Sequence, residues 1–134
     1  MIKRIMISWF ERHSKTSWII TFLIALTIFY VSSLTAEETA GAASHGANAI
    51  AYHTIIFFVL AFFLLMSVVR GKNQKLIFHA LIISVLYGLL DELHQYFVPG
   101  RSSAFSDVLL DSIGIFSAFI IYFISLKYRS VNKI

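Results

Sequence analysis

The sequence predicts an all-α, polytopic membrane protein: four transmembrane helices in a single domain over residues 1–134, with both termini cytoplasmic. Three observations lead there. Of the 134 residues, 58% are hydrophobic and only 13% are charged, where a soluble domain carries roughly a quarter charged residues; the mean hydropathy is +0.79. The apolar residues fall in four long runs, each near the ~20 residues that a helix rising ~1.5 Å per residue needs to cross a bilayer. Once four crossings are drawn, ten of the eleven Lys and Arg residues lie on one side.

Residues 1–16 mix Lys3, Arg4, Arg12 and Lys15 with Ile2, Ile5, Met6, Trp9 and Phe10. This reads first as the basic, aromatic lead-in to a span, and second as a basic amphipathic helix lying on the inner leaflet. The apolar run that follows is too long for the h-region of a signal peptide, so an uncleaved anchor is expected. The first span covers about residues 17–34. Residues 35–48 (TAEETAGAASHGAN) are small and polar and lack Lys and Arg, which predicts a loop, with room for a short surface helix, in which Glu37, Glu38 and His45 are solvated.

The second span covers about 49–69 and has His53 near its start. Residues 70–75 (RGKNQK) form a tight basic turn. The third span, about 76–98, turns polar in its second half and stops at Pro99-Gly100, because proline cannot continue a helix and glycine permits the turn. The fourth covers about 106–126, with Ser103 or Ser106 as its N-cap. Residues 127–134 are a basic tail. No alternating pattern supports a strand.

The basic residues orient the bundle: four precede the first span, three lie in 70–75 and three in the tail, while Arg101 stands alone on the other side. Cytoplasmic segments are enriched in Lys and Arg, so the 35–48 and 99–106 loops are expected outside a cell membrane crossed several times. The positive charge is thus spent flanking spans rather than forming a folded basic face, which excludes nucleic acid as a partner.

The stretch from Gly88 to Gly114 (GLLDELHQYFVPGRSSAFSDVLLDSIG) holds four of the seven carboxylates and the only proline. Acids within membrane helices are costly and demand a role. Gly88, Glu92 and Gln95 share one helix face, at i, i+4 and i+7; Asp107, Asp111, Gly114 and Ala118 share another. Both faces and His53 lie within ~10 Å of the outer interface at helical rise. A helical hairpin with its acidic faces together is expected, with His53 nearby and Arg101 as the neutralising partner of the carboxylates. Small residues on those faces let the helices approach closely.

The ligand-binding candidates are therefore His53, Glu92, Gln95, Arg101, Asp107 and Asp111. His53, Glu92, Asp107 and Asp111 also form an oxygen–imidazole donor set for a divalent cation. No cysteine is present, so thiolate chemistry and Cys-ligated metals are excluded. Glu92, His53 and Asp107 are the candidates for a catalytic role. A serine hydrolase would need Ser102, Ser103 or Ser106 beside His94, and no nucleophile elbow supports it.

The same block resembles the signature of VanZ-like membrane proteins, G-x-x-D-E-x-x-Q-x-x-x-P-x-R followed by D-x-x-x-N-x-x-G. Gly88, Asp91, Glu92, Gln95, Pro99, Arg101, Asp107 and Gly114 stand at the matching places. The end of the first span, FYVSSLTAEET, resembles the family's F-x-x-S-S stretch, and His53 stands where the family has its second-helix histidine. Asp111 departs from the pattern, adding a charge where the family has Asn. The resemblance implies a cell-envelope protein; the founding VanZ is associated with resistance to the glycopeptide teicoplanin, which acts outside the cell.

Residues and resemblance together give three readings. The first is an extracytoplasmic-facing polar pocket that binds a lipid headgroup, a lipid-linked envelope precursor or a glycopeptide-type ligand, in contact with membrane lipids and with room for a homodimer. The second is an intramembrane hydrolase or transferase acting on a lipid-linked substrate. The third is a structural, ion-paired bundle without a ligand.

Overall fold

The fold was analysed in a computed structural model that describes residues 2–39, 47–101 and 103–131, with the side chains of 2–5 and 47 left aside. Six helices follow in order: α1 (Ile2–Arg12), α2 (Ser14–Ser33), α3 (Ala36–Thr39), α4 (Ala47–Val69), α5 (Leu76–Tyr96) and α6 (Phe105–Val131). Four of them, α2, α4, α5 and α6, are long and apolar enough to cross a membrane, in agreement with the four expected spans.

The apolar surplus explains why they form a bundle with an oily exterior. Ile19, Phe22, Tyr30, Leu90, Tyr96, Phe97 and Phe105 are all exposed. In water such a surface would aggregate; against acyl chains it is the solvated state. Inside, α4 is the central element. It packs on α6 along its length, and α2 and α5 lie against its remaining sides. Two apolar clusters stack along the bundle. Phe57, Leu60, Ala61, Ile115, Ala118 and Ile28 form one; Leu64, Leu65, Met66, Val69, Tyr122 and Leu126 form the other.

The tight α4–α6 packing has a specific cause. A Cβ placed on Gly114 would fall 2.2 Å from the Thr54 carbonyl oxygen and 2.9 Å from the Phe58 nitrogen. No side chain fits there, so the two backbones meet directly, as small residues allow in membrane bundles. The contact lies one residue from His53 in α4 and one turn from Asp111 in α6, and it sets the distance between those two side chains.

Departures from the sequence reading are local. Residues 2–12 form a separate helix, broken from α2 at His13, rather than a plain lead-in. Its Ile7 and Phe10 pack against the lower cluster, so it is amphipathic as in the second reading. The α6 helix runs five residues beyond the expected 126, to Val131. Neither Ser103 nor Ser106 caps α6: Ser103 donates to Glu92, and Ser106 lies inside the helix with its hydroxyl on Asp107. His45, Ser102 and residues 132–134 of the tail lie outside the described residues.

The 35–48 region does contain a short helix. Thr35, Ala36, Glu37 and Glu38 form a capping box: the Thr35 N–H donates to Glu38 Oε2 at 2.8 Å, and the Glu38 N–H reaches Thr35 Oγ1 at 3.4 Å. The Thr35 N–H, followed by its hydroxyl, holds the Glu38 carboxyl below the usual carboxylate range. The turn after α5 brings Ala36 close, since a Cβ on Gly100 would be 3.1 Å from Ala36 Cβ.

A polar node ties the other end of the bundle. Arg129 donates two hydrogen bonds to the Glu11 carboxylate, the longer at 2.8 Å, and the Tyr122 hydroxyl adds a third at 2.6 Å. The Gly71 N–H donates to the Tyr122 oxygen at 3.2 Å. Gly71 has a φ of +64°, and a Cβ there would be 2.8 Å from Glu11 Oε2; glycine is required both for the turn and for the carboxylate. The node joins α1, the α4–α5 turn and the end of α6, and so places residues 11, 71 and 129 at one end of the bundle.

Candidate functional site

At the opposite end, three helices deliver polar side chains to one depth. His53 lies about two turns into α4, Asp111 about two turns into α6, and Glu92 one turn before the end of α5. His53 Nδ1 is 2.9 Å from Asp111 Oδ1. One donor atom from each of His53, Glu92 and Asp111 lies within 4.8 Å of the others. All three residues are more than nine-tenths buried, at 7%, 4% and 1% exposure. The expected hairpin of acidic faces is therefore present, and His53 closes it from α4.

Each side chain is held from behind. Glu92 Oε2 accepts hydrogen bonds from the Ser103 hydroxyl and the Ala104 N–H, both at 3.2 Å. A carboxylate of α5 thus satisfies a free backbone donor just ahead of α6, where the helix dipole also favours negative charge. Gln95 donates to Asp91 Oδ2 at 2.9 Å and accepts from Arg101 Nη2 at 3.1 Å. The Val98–Arg101 turn produces this second contact. The Arg101 N–H returns to the Val98 carbonyl at 3.2 Å, with Pro99 and Gly100 (φ +74°) in the central positions that a type II turn requires.

Two atoms in this cluster are exceptional. Glu92 Oε1 and Asp111 Oδ2 are buried and have no hydrogen-bond partner among the described residues; Ser32 Oγ and Tyr52 Oη share that state. Buried oxygens are almost always partnered, because leaving one bare costs about 1–3 kcal/mol, and more if it is charged. Gly88 leaves room beside Asp111 Oδ2, since a Cβ there would stand 3.4 Å from it.

The family comparison covers nearly the whole chain, this cluster included. A protein-family model described as VanZ/LLP1 covers residues 10–126. The chain belongs to the VanZ/LLP1 family. No curated protein and no solved structure matches it. In this VanZ/LLP1 protein the family match spans the four transmembrane helices up to Leu126, so the polar cluster lies within the family's own fold.

The structure brings His53, Glu92 and Asp111 together as expected, places Gln95 on Asp91 and Arg101 instead, and revises three assignments. Arg101 makes no ion pair with a carboxylate among the described residues; it reaches Asp91 only through Gln95, because the Pro99-Gly100 turn points it back along α5. Asp107 does not join the donor set. It sits one turn, or ~5 Å, nearer the helix end than Asp111 and takes a hydrogen bond from Ser106. Asp91, which matches the family signature but is not among the candidate site residues, is buried at 7% exposure and bound to Gln95. The missed signal was Ser32 and Ser33 at the end of α2. A small polar pair there shows that a second side of α5 is packed: Ser32 is buried, and Ser33 Oγ is 3.0 Å from His94 Nε2.

Proposed function

We propose that this VanZ/LLP1 protein binds the polar headgroup of an amphiphilic cell-envelope ligand at the α4–α5–α6 cluster, on the extracytoplasmic side of the cell membrane. The observation that carries this is that Glu92 and Asp111, the two acids gathered with His53 near the bundle end, each keep one buried oxygen, Oε1 and Oδ2, without a partner among the described residues. They call for hydrogen-bond donors or positive charge from a ligand. Arg101 is half-buried, and among the described residues its guanidinium donates to Gln95. Its remaining N–H groups suit an anionic group such as a phosphate. An exposed apolar flank beside a polar site fits a ligand with a lipid tail: a lipid, a lipid-linked precursor or a lipidated glycopeptide of the teicoplanin type.

The side follows from charge. Glu11, Gly71 and Arg129 mark the end at which ten of the eleven basic residues cluster in sequence, and that end is cytoplasmic by the positive-inside rule.

Native mass spectrometry of the full chain, released from gentle detergent, tests the proposal. A retained amphiphile that is lost in Glu92→Gln and Arg101→Ala variants of unchanged melting temperature supports it. A parent that carries no amphiphile from native membranes, or variants that keep it fully, would refute it.

One observation favours a second reading, an intramembrane hydrolase or transferase. His53 is oriented through Nδ1 by a buried carboxylate, the arrangement of a general base. His53→Gln separates the two: a base loses turnover while its ligand stays bound, whereas a binding residue loses the ligand.

A further inference from the structure

We infer that His53, Glu92 and Asp111 form a site for one divalent cation of the Zn²⁺ or Mn²⁺ class. The inference rests on the reading of this cluster as a binding site and names what it holds first.

Four features carry it. The donor set is one imidazole and two carboxylates, within 4.8 Å of one another and more than nine-tenths buried. Mixed nitrogen and oxygen donors of this kind suit Zn²⁺ and Mn²⁺, whereas an all-oxygen set would suit Mg²⁺ or Ca²⁺. The bare atoms are carboxylate oxygens, Glu92 Oε1 and Asp111 Oδ2, which when both acids are ionised are acceptors and cannot satisfy one another. The 2.9 Å between His53 Nδ1 and Asp111 Oδ1 is a hydrogen-bond length, and it is also close to the ~3.0 Å between two donors at a right angle on one ion with ~2.1 Å bonds, opening to ~3.4 Å in a tetrahedral site. A proton or a metal ion can bridge that pair.

The surroundings resemble those of a metal centre. Ser103 Oγ and the Ala104 N–H occupy Glu92 Oε2, leaving a single oxygen directed elsewhere, as hydrogen-bonded ligating carboxylates do. Neither Lys nor Arg pairs with Glu92 or Asp111 among the described residues. Arg101, the nearest cation in sequence, is turned toward Gln95. Two carboxylates are thus gathered without a permanent cation, and a bound divalent ion would supply it. Such an ion would also bridge these acids to an anionic headgroup that they would otherwise repel.

The test uses the full chain in detergent, stripped with chelator and titrated with Zn²⁺ or Mn²⁺ alone. The expected result is about one equivalent taken up saturably, a rise in melting temperature on binding and its reversal by chelator. Glu92→Gln and His53→Gln should weaken binding by more than ~100-fold, and Ser103→Ala by roughly 10–100-fold. Glu37→Gln, on the exposed face of α3, should bind like the parent.

If the cluster variants do not fold, the parent alone decides: Mn²⁺ should broaden the His53 imidazole resonances ahead of those of the other histidines. A folded parent that takes up neither ion at millimolar concentration overturns the inference. Equal uptake by Glu92→Gln and His53→Gln, or broadening that spares His53, does so too. Metal uptake without a retained amphiphile upholds the cation site and removes the headgroup reading. An amphiphile retained by a protein that takes up no metal does the reverse.

Discussion

Adding one methyl group at Gly114 should damage this protein, while the same change at Gly88 should not. Both glycines lie in helix interiors near the cluster, so Gly→Ala is worth about 1 kcal/mol in favour of each by helix propensity. At Gly88 the new Cβ would stand 3.4 Å from Asp111 Oδ2 and from Phe57 Cε1, an ordinary contact. At Gly114 it would stand 2.2 Å from the Thr54 oxygen, 2.9 Å from the Phe58 nitrogen and 3.1 Å from the Thr54 carbonyl carbon. Those atoms are backbone, so no rotamer relieves the clash. The α6 helix must retreat from α4 by about 1 Å before the contact is tolerable. Overpacking of this kind costs about 1–3 kcal/mol. The same retreat stretches the 2.9 Å His53–Asp111 bond beyond hydrogen-bond length, adding about 1.5–3 kcal/mol for a charge-assisted contact. Net of propensity, Gly114→Ala should lose on the order of 3 kcal/mol, which is roughly 10 °C in melting temperature for a chain of this size. Trp9 and Trp18 report unfolding in detergent by intrinsic fluorescence. If Gly114→Ala melts within a degree or two of the parent, or above Gly88→Ala, the direct backbone contact of α4 and α6 is not what holds the bundle.

Further outcomes follow from the other polar contacts. Arg129→Ala leaves the buried Glu11 carboxylate with Tyr122 alone, and should cost roughly 2–4 kcal/mol. Limited proteolysis should then cut at the α1–α2 junction faster than in the parent; Tyr122→Phe should give a smaller loss, about 1 kcal/mol. At Glu38 the folded state favours the ionised carboxyl, because the Thr35 N–H and hydroxyl donate to it. The capping box is therefore at full strength above the usual glutamate range and is lost as pH falls through the lowered value. The Thr35 amide resonance should move in that acidic window in the parent and stay still in Glu38→Gln; movement at or above the usual range would contradict the capping geometry.

The spans were legible because the length of an uncharged run is set by bilayer thickness, and no other fold explains four of them. Their inner limits were also legible: the RGKNQK turn and Pro99-Gly100 stop helices by rules that hold in any context. The end of α6 was not, because residues 127–131 stay helical through Arg129, whose partner Glu11 lies 118 positions away. Within the site, helical spacing put Glu92 and Asp111 on facing sides and His53 at their depth. It could not separate Asp111 from Asp107, which share a face and differ by one turn along the axis. It also misjudged Asp91, one residue and ~100° from Glu92, because α5 is packed on two sides and both carboxylates are buried. Arg101 was misread for a similar reason. Charge suggested a carboxylate partner, while the direction of a guanidinium after a Pro-Gly turn depends on backbone dihedrals that composition does not encode.

The Glu11–Arg129 pair has a consequence for how the protein is made. Along this chain Glu11 precedes the four spans, and Arg129 stands near the end of the last of them. Until α6 is made, Glu11 lacks its guanidinium, and α1 is held by its apolar contacts with α4 and by the Ser17 hydroxyl on the Phe10 carbonyl. That contact can close only once α6 is present, and it joins α1 to α6 across 118 positions of sequence. A chain that ends before α6 is complete therefore lacks the polar contact that ties α1 to the far end of the bundle.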